Sequence, residues 1–265
     1  MCDEDCDLGG LCGLLRPKAT QGTLDDPEHD IISKEEKALT QYDLGTALQE
    51  QRKLPEAIRC YKEAIQLNPA LVDAHYNLGS AIQAQGNDEE ALKHYKKTLE
   101  LESEHVLANY NAGYLLHEHG RLKEALVHFK KAAELEPGDF DTHINLGNVL
   151  RELGRGAEAI SAYRQAIAAD ASCVMAYYNL GNALHDAGEL DEAIAHFARA
   201  TELDETYVDA HFNLGIAYQE KLDYRAALRC YDTCAALDPT FQEAVEAANI
   251  IRMHNLQNEG NGKGS

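Results

Sequence analysis

The sequence predicts an all-α protein, a solenoid of six helix-turn-helix repeats followed by a C-terminal capping helix. Three observations carry that prediction. A glycine recurs at intervals of 34 residues, at Gly45, Gly79, Gly113, Gly147, Gly181 and Gly215. An alanine stands 12 residues after each glycine, at Ala57, Ala91, Ala125, Ala159, Ala193 and Ala227. An aromatic ring stands 16 residues after it, at Tyr61, Tyr95, Phe129, Tyr163, Phe197 and Tyr231. A period of this length marks a unit that cannot bury its apolar faces alone and must stack on copies of itself.

The unit is clearest at Val174 to Tyr207. Leu180, Gly181 and Leu184 fall on one stripe of a first helix. Gly188 follows, where a left-handed residue ends the helix without a Cβ clash. Ala193, Ile194, Phe197, Ala200 and Leu203 continue at helical spacing as a second helix. Gly181 inside a helix costs about 1 kcal/mol relative to Ala. The expected compensation is close packing of the second helix, through Ala193, on the bare backbone.

Counting outward gives repeats at 38–71, 72–105, 106–139, 140–173, 174–207 and 208–241, or 204 of 265 residues. The first and last depart from the pattern at the turn. Arg52 and Leu222 stand where Gly86, Gly120, Gly154 and Gly188 stand in the other four. Atypical terminal repeats are expected of a solenoid. Asp88 and Gly156 replace an apolar residue at the start of the second helix, and looser packing is expected there.

The acidic segment 1–37 is expected to be a mostly disordered leader. Residues 242–257 place Ala244, Ala247, Ala248 and Ile251 on one stripe, which reads as a capping helix. Residues 258–265 read as a flexible tail.

Net charge is −21, of which residues 1–37 contribute −6. Such a surface repels phosphate backbones and anionic lipid, so nucleic acid and membrane insertion are not expected. The seven cysteines form no disulfide framework, and no signal peptide or membrane span is evident. A reducing, cytoplasmic location is therefore expected.

Chemistry-bearing motifs are sparse. Cys2, Cys6 and Cys12 match no common zinc spacing. His75, His143 and His211 each follow an aspartate by two residues, a spacing that points the side chains apart on a helix. Cys230 and Cys234 share a helix face but suit burial as small hydrophobes. No phosphate loop, nucleophile motif or acid/base pair stands out. The expectation is a non-enzyme without metal or cofactor.

The recurring glycine, alanine and aromatic positions, with Leu44, Leu78, Leu146, Leu180 and Leu214 preceding the glycine, resemble the tetratricopeptide repeat (TPR) family. The resemblance implies a right-handed solenoid. It also implies that first-helix positions 2, 5, 6, 9, 12 and 13 line a concave groove. Position 6 is Asp43, then Asn77, Asn111, Asn145, Asn179 and Asn213. This row resembles the asparagine ladder in the TPR part of O-GlcNAc transferase, and Asn148 and Asn182 widen it.

An amide side chain offers both donor and acceptor, so it can hold a peptide backbone independently of sequence. The same amides can bond a neighbouring repeat instead, and the sequence leaves both uses open. Beside them run Tyr42, Tyr76, Tyr110, Ile144, Tyr178 and Phe212, placed either to anchor a ligand or to pack between helices. Position 2 alternates Leu39, Leu107 and Met175 with Asp73, Asp141 and Asp209. Position 13 carries Glu50, Glu118, Glu152, Asp186 and Glu220, relieved by Arg151 at position 12.

The expected function is a non-catalytic adaptor or scaffold. It would hold an extended protein segment with basic and apolar residues through Asn77, Asn111, Asn145, Asn179, Asn213, Asn148, Asn182, Tyr76, Tyr110 and Tyr178. The alternative is a permanent structural subunit of a larger assembly, such as a trafficking, ciliary or ubiquitin-ligase complex. That reading uses the convex face or the leader.

Overall fold

The computed structural model describes the backbone of residues 27–261 and the side chains of residues 33–253. The expected leader residues 1–26, with Cys2, Cys6 and Cys12, lie outside the described residues. Six helical hairpins follow one another. They are α1 (Pro27–Glu50) with α2 (Leu54–Leu67), α3 (Val72–Gln83) with α4 (Asp88–Leu101), and α5 (Val106–Glu118) with α6 (Leu122–Leu135). Then come α7 (Phe140–Glu152) with α8 (Gly156–Ala169), α9 (Val174–Asp186) with α10 (Leu190–Leu203), and α11 (Val208–Glu220) with α12 (Tyr224–Leu237). A last helix, α13 (Gln242–Asn261), packs on α12.

Two boundaries differ from expectation. Helix α1 begins at Pro27, upstream of residue 38, and α13 runs on to Asn261 rather than ending at 257. Proline at the first helical position suits the start of α1.

All six turns inside the hairpins close in one way. A residue two or three places past the end of the first helix adopts a left-handed conformation, at φ between 60° and 80°. The next backbone N–H donates to a carbonyl five residues back, as in Asn87 to Ile82 at 3.2 Å and Glu189 to Leu184 at 2.9 Å. This Schellman closure satisfies carbonyls that a helix end leaves free. Arg52 and Leu222 adopt the same left-handed conformation without being glycine, at φ 60° and 64°. The terminal repeats therefore keep the turn geometry and carry strain in it.

Packing within each hairpin corrects one expectation. The groups that approach the helix glycines most closely are the aromatic rings, not Ala193 and its equivalents. A Cβ on Gly181 would lie 2.6 Å from the Phe197 ring, and one on Gly215 would lie 2.6 Å from Tyr231. The alanine is fully buried in every hairpin, but as a small neighbour that lets the helices cross. All six rings are buried, each contributing roughly 2–3 kcal/mol of apolar burial.

One continuous core runs from Ala57 to Cys230. A second, smaller cluster joins Ala227 and Tyr231 to Ala248 and Ile251, so the first turns of α13 cover the apolar end of the last hairpin. Ala244 is buried with them. Gly156 has open space where a side chain would be, and Asp88 lines a cavity of about 150 Å³ beside Leu92 and His119.

Candidate functional site

First helices of neighbouring hairpins touch one another directly: α1 with α3, α5 with α7, α7 with α9, and α9 with α11. They therefore form a wall of their own. Residues at one repeat position lie in a row along that wall.

The asparagine row is real, and its donors are engaged. Asn77 Nδ2 donates to the hydroxyl of Tyr42 in the preceding repeat at 3.1 Å. Asn111 does the same to Tyr76 at 3.2 Å, Asn145 to Tyr110 at 3.1 Å and Asn213 to Tyr178 at 3.2 Å. Where the preceding repeat has Ile144 in place of tyrosine, Asn179 donates to Asn148 Oδ1 at 3.3 Å. Asn182 Oδ1 accepts from Asn213 at 2.8 Å.

The tyrosines are thus partners of the asparagines, not a separate stripe. They also pack on the hairpin rings, as Tyr76 on Tyr95 with centroids 5.8 Å apart. Burial pushes the Tyr76 and Tyr110 hydroxyls up from their ordinary pKa, so both stay protonated.

Asn145 Nδ2 also donates to the Asp141 carbonyl at 3.0 Å. A carbonyl only accepts, so this bond fixes the amide orientation and turns Oδ1 the other way. Among the described residues nothing donates to Oδ1 of Asn77, Asn111, Asn145 or Asn213. Each of these residues is partly exposed.

At the other end of the first helices three of the five acidic side chains at position 13 are paired within the protein. His117 Nε2 reaches Glu152 at 2.7 Å, Arg151 reaches Asp186 at 3.8 Å and His185 reaches Glu220 at 3.1 Å. Each pair joins position 12 of one repeat to position 13 of the next. The sequence points to Arg151 alone as relief for this row. It missed the pairing because partners 35 residues apart meet only when the hairpins stack. A second ladder missed for the same reason links the second helices, from Lys62 to Glu90, Lys96 to Glu124, Lys130 to Glu158 and Arg164 to Glu192. These pairs are exposed and stabilise little individually.

The repeated histidines staple the turns between hairpins. Nε2 of His75 donates to the Pro69 carbonyl at 3.1 Å, His143 to Pro137 at 2.9 Å and His211 to Glu205 at 3.0 Å. Burial holds the His75 pKa below its ordinary value, which suits a neutral ring. Cys230 and Cys234 are buried, and burial pushes their thiols up to about 11 and about 12, so neither is a reactive thiolate. Among the described residues no group of three or more His, Cys, Asp or Glu is placed to hold a metal. No described helix is long and apolar enough to cross a membrane.

Stacked hairpins with a ring seated on a helix glycine, and a wall of first helices, define an α-solenoid of interaction repeats. Profiles described as tetratricopeptide or TPR repeat match residues 45–86, 72–105, 113–154, 144–208 and 208–241. The chain belongs to the tetratricopeptide repeat family. It is similar to YrrB, a TPR protein with an unusual peptide-binding site, at 30% identity and TM-score 0.65, over 71% of this chain and 97% of that one. It is also similar to MamA of Desulfovibrio magneticus RS-1, at 25% identity and TM-score 0.60, over 64% and 96% of the two chains. PilF of Pseudomonas aeruginosa shares the fold at 19% identity and TM-score 0.64, over 81% and 97%. Comparison with curated proteins gave no match.

Proposed function

We propose that this chain is a non-catalytic adaptor that holds an extended segment of another protein along the wall of first helices. One observation carries the reading. The amide donors of the asparagine row are tied to the preceding repeat, which leaves the Oδ1 acceptors of these partly exposed residues without a donor among the described residues, at repeat spacing. An extended backbone presents N–H groups that suit such acceptors whatever its side chains. The bonds that hold each amide also reduce the entropy lost when a ligand binds. The peptide-binding site of YrrB and the resemblance of the row to that of O-GlcNAc transferase support the reading. The tyrosines, seated on the hairpin rings, support it by giving the groove a rigid apolar floor.

The test separates recognition from the cross-repeat lock. Peptides selected on the full chain from a displayed library are measured against Tyr110→Phe and against Asn111→Ala with Asn145→Ala. Tyr110→Phe removes the lock on Asn145 but keeps the amide, and binding is expected to hold within about twofold. The double asparagine variant is expected to bind about tenfold or more weakly, as loss of two backbone contacts implies. Unchanged binding by the double variant overturns the reading.

A permanent structural subunit is the second reading. It is favoured by the exposed Ile250 and Met253 of α13, which are spaced to share a helix face.

A further inference from the structure

The groove wall has two edges, and the structure makes them unlike. Positions 2 and 13 of a first helix are about 16 Å apart at 1.5 Å per residue. At position 13 the carboxylates of Glu152, Asp186 and Glu220 already have partners on the preceding repeat, His117, Arg151 and His185. At position 2 the residues in order are Leu39, Asp73, Leu107, Asp141, Met175 and Asp209. All three apolar side chains stand about half exposed, Leu39 at 50%, Leu107 at 53% and Met175 at 48%.

Their neighbours Asp73, Asp141 and Asp209 are exposed and make no ion pair among the described residues. Burial and then Asp139 push the Asp141 carboxyl up from its ordinary pKa. Burial raises the Tyr207 hydroxyl and the Cys234 thiol, and Asp209 adds to both. Tyr207 donates its hydroxyl to Met175 Sδ at 3.4 Å, which holds that thioether at the edge. Carboxylates without an ion pair therefore alternate with exposed apolar side chains, with a period of two repeats.

Resting on the groove reading above, we propose that this edge sets the register of the bound segment. The occupant is an extended polypeptide whose apolar and basic side chains alternate about every three residues. Neighbouring helix axes lie roughly 8–10 Å apart, and a chain in the extended polyproline II conformation advances about 3.1 Å per residue with about three residues per turn, so side chains three apart share a face. One repeat therefore spans about three residues, and each basic side chain recurs about every sixth. The apolar side chains meet Leu39, Leu107 and Met175, and the basic ones meet the three aspartates. The asparagine row binds backbone, and the position-2 edge reads side chains. The acidic N-terminal segment of this chain has the wrong charge to fill the same edge.

The test uses the same displayed library on the full chain, in parallel with the triple variant Asp73→Asn, Asp141→Asn, Asp209→Asn. These aspartates are exposed, so the variant is expected to fold. Sequences enriched on the native chain are expected to show Lys or Arg about six residues apart with an apolar residue midway. Their affinity is expected to fall about tenfold on the triple variant, and to weaken with added salt. Enriched peptides without that spacing, or equally strong on the triple variant, overturn the proposal. If such peptides still lose affinity on Asn111→Ala with Asn145→Ala, the groove reading survives without it. Sedimentation of the full chain as a dimer that dissociates in the triple variant would assign the edge to a second copy and overturn the proposal.

Discussion

The ring of Tyr163 occupies the place that a side chain on residue 147 would need: a Cβ built on Gly147 falls 2.4 Å from Tyr163 Cε1. The ring is fully buried, so it has no free space to retreat into. Gly147→Ala is therefore expected to destabilise the chain by about 1–3 kcal/mol, the range for overpacking a filled core. Urea denaturation followed by circular dichroism measures it. Gly156→Ala, with nothing within 4 Å of the new Cβ, serves as the control and is expected to cost nothing.

Leu222 holds φ at 64° with its side chain 69% exposed. A left-handed residue with a Cβ is strained by roughly 1–2 kcal/mol, and little apolar burial is lost by removing this side chain. Leu222→Gly is expected to raise stability by about 0.5–1 kcal/mol after the entropy of the unfolded glycine is counted. A higher urea midpoint with unchanged slope confirms it, and a lower midpoint contradicts the strain.

Three second-helix histidines have pKa values held below ordinary by burial, His94, His128 and His196. His94 faces His75, Glu90, Lys62 and Lys93, while His128 faces Lys96 and Glu124, and His196 faces Arg164 and Glu192. A depressed folded pKa means that the unfolded chain binds the proton first as pH falls. Stability is then full above about pH 6.5, the unfolded value, and is lost progressively below it. Urea midpoints at pH 7.5 and pH 5.5 are expected to differ in that direction. His128→Gln is expected to reduce the difference, and a pH-independent midpoint would refute the account.

Tyr110→Phe removes the hydroxyl that accepts from Asn145 at 3.1 Å. Asn145 keeps its bond to the Asp141 carbonyl and is partly exposed, so water replaces part of the loss. A net cost of about 0.5–1 kcal/mol is expected. The natural isoleucine at position 144 already lacks that hydroxyl, and Asn179 turns to Asn148 instead. Ile144→Tyr is therefore expected to be tolerated. Thermal melts of both variants give the comparison.

How far the sequence led can be judged at single residues. The spacing from Gly181 to Phe197 was visible as a repeat, and it placed the hairpin, but not the contact. The sequence reading assigned the close approach to Ala193, because period alone does not say which of two residues on a helix face reaches the glycine. The left-handed turn was legible at Gly188 and illegible at Leu222, because leucine carries no propensity for that conformation. Asn145 was legible as one member of a repeated row. That its donor is held by Tyr110 was not, because a bond across 35 residues exists only once two hairpins are stacked.

By itself the sequence determined the 34-residue period, the helical hairpin, the family and the row of asparagines, because each is a local pattern of side-chain spacing. Only the tertiary structure decided which carboxylates are paired. Glu152, Asp186 and Glu220 find His117, Arg151 and His185 on the preceding repeat, while Asp73, Asp141 and Asp209 find no ion pair among the described residues. The physical reason is that ion pairing depends on distances between helices, and those are set by how one repeat packs on the next.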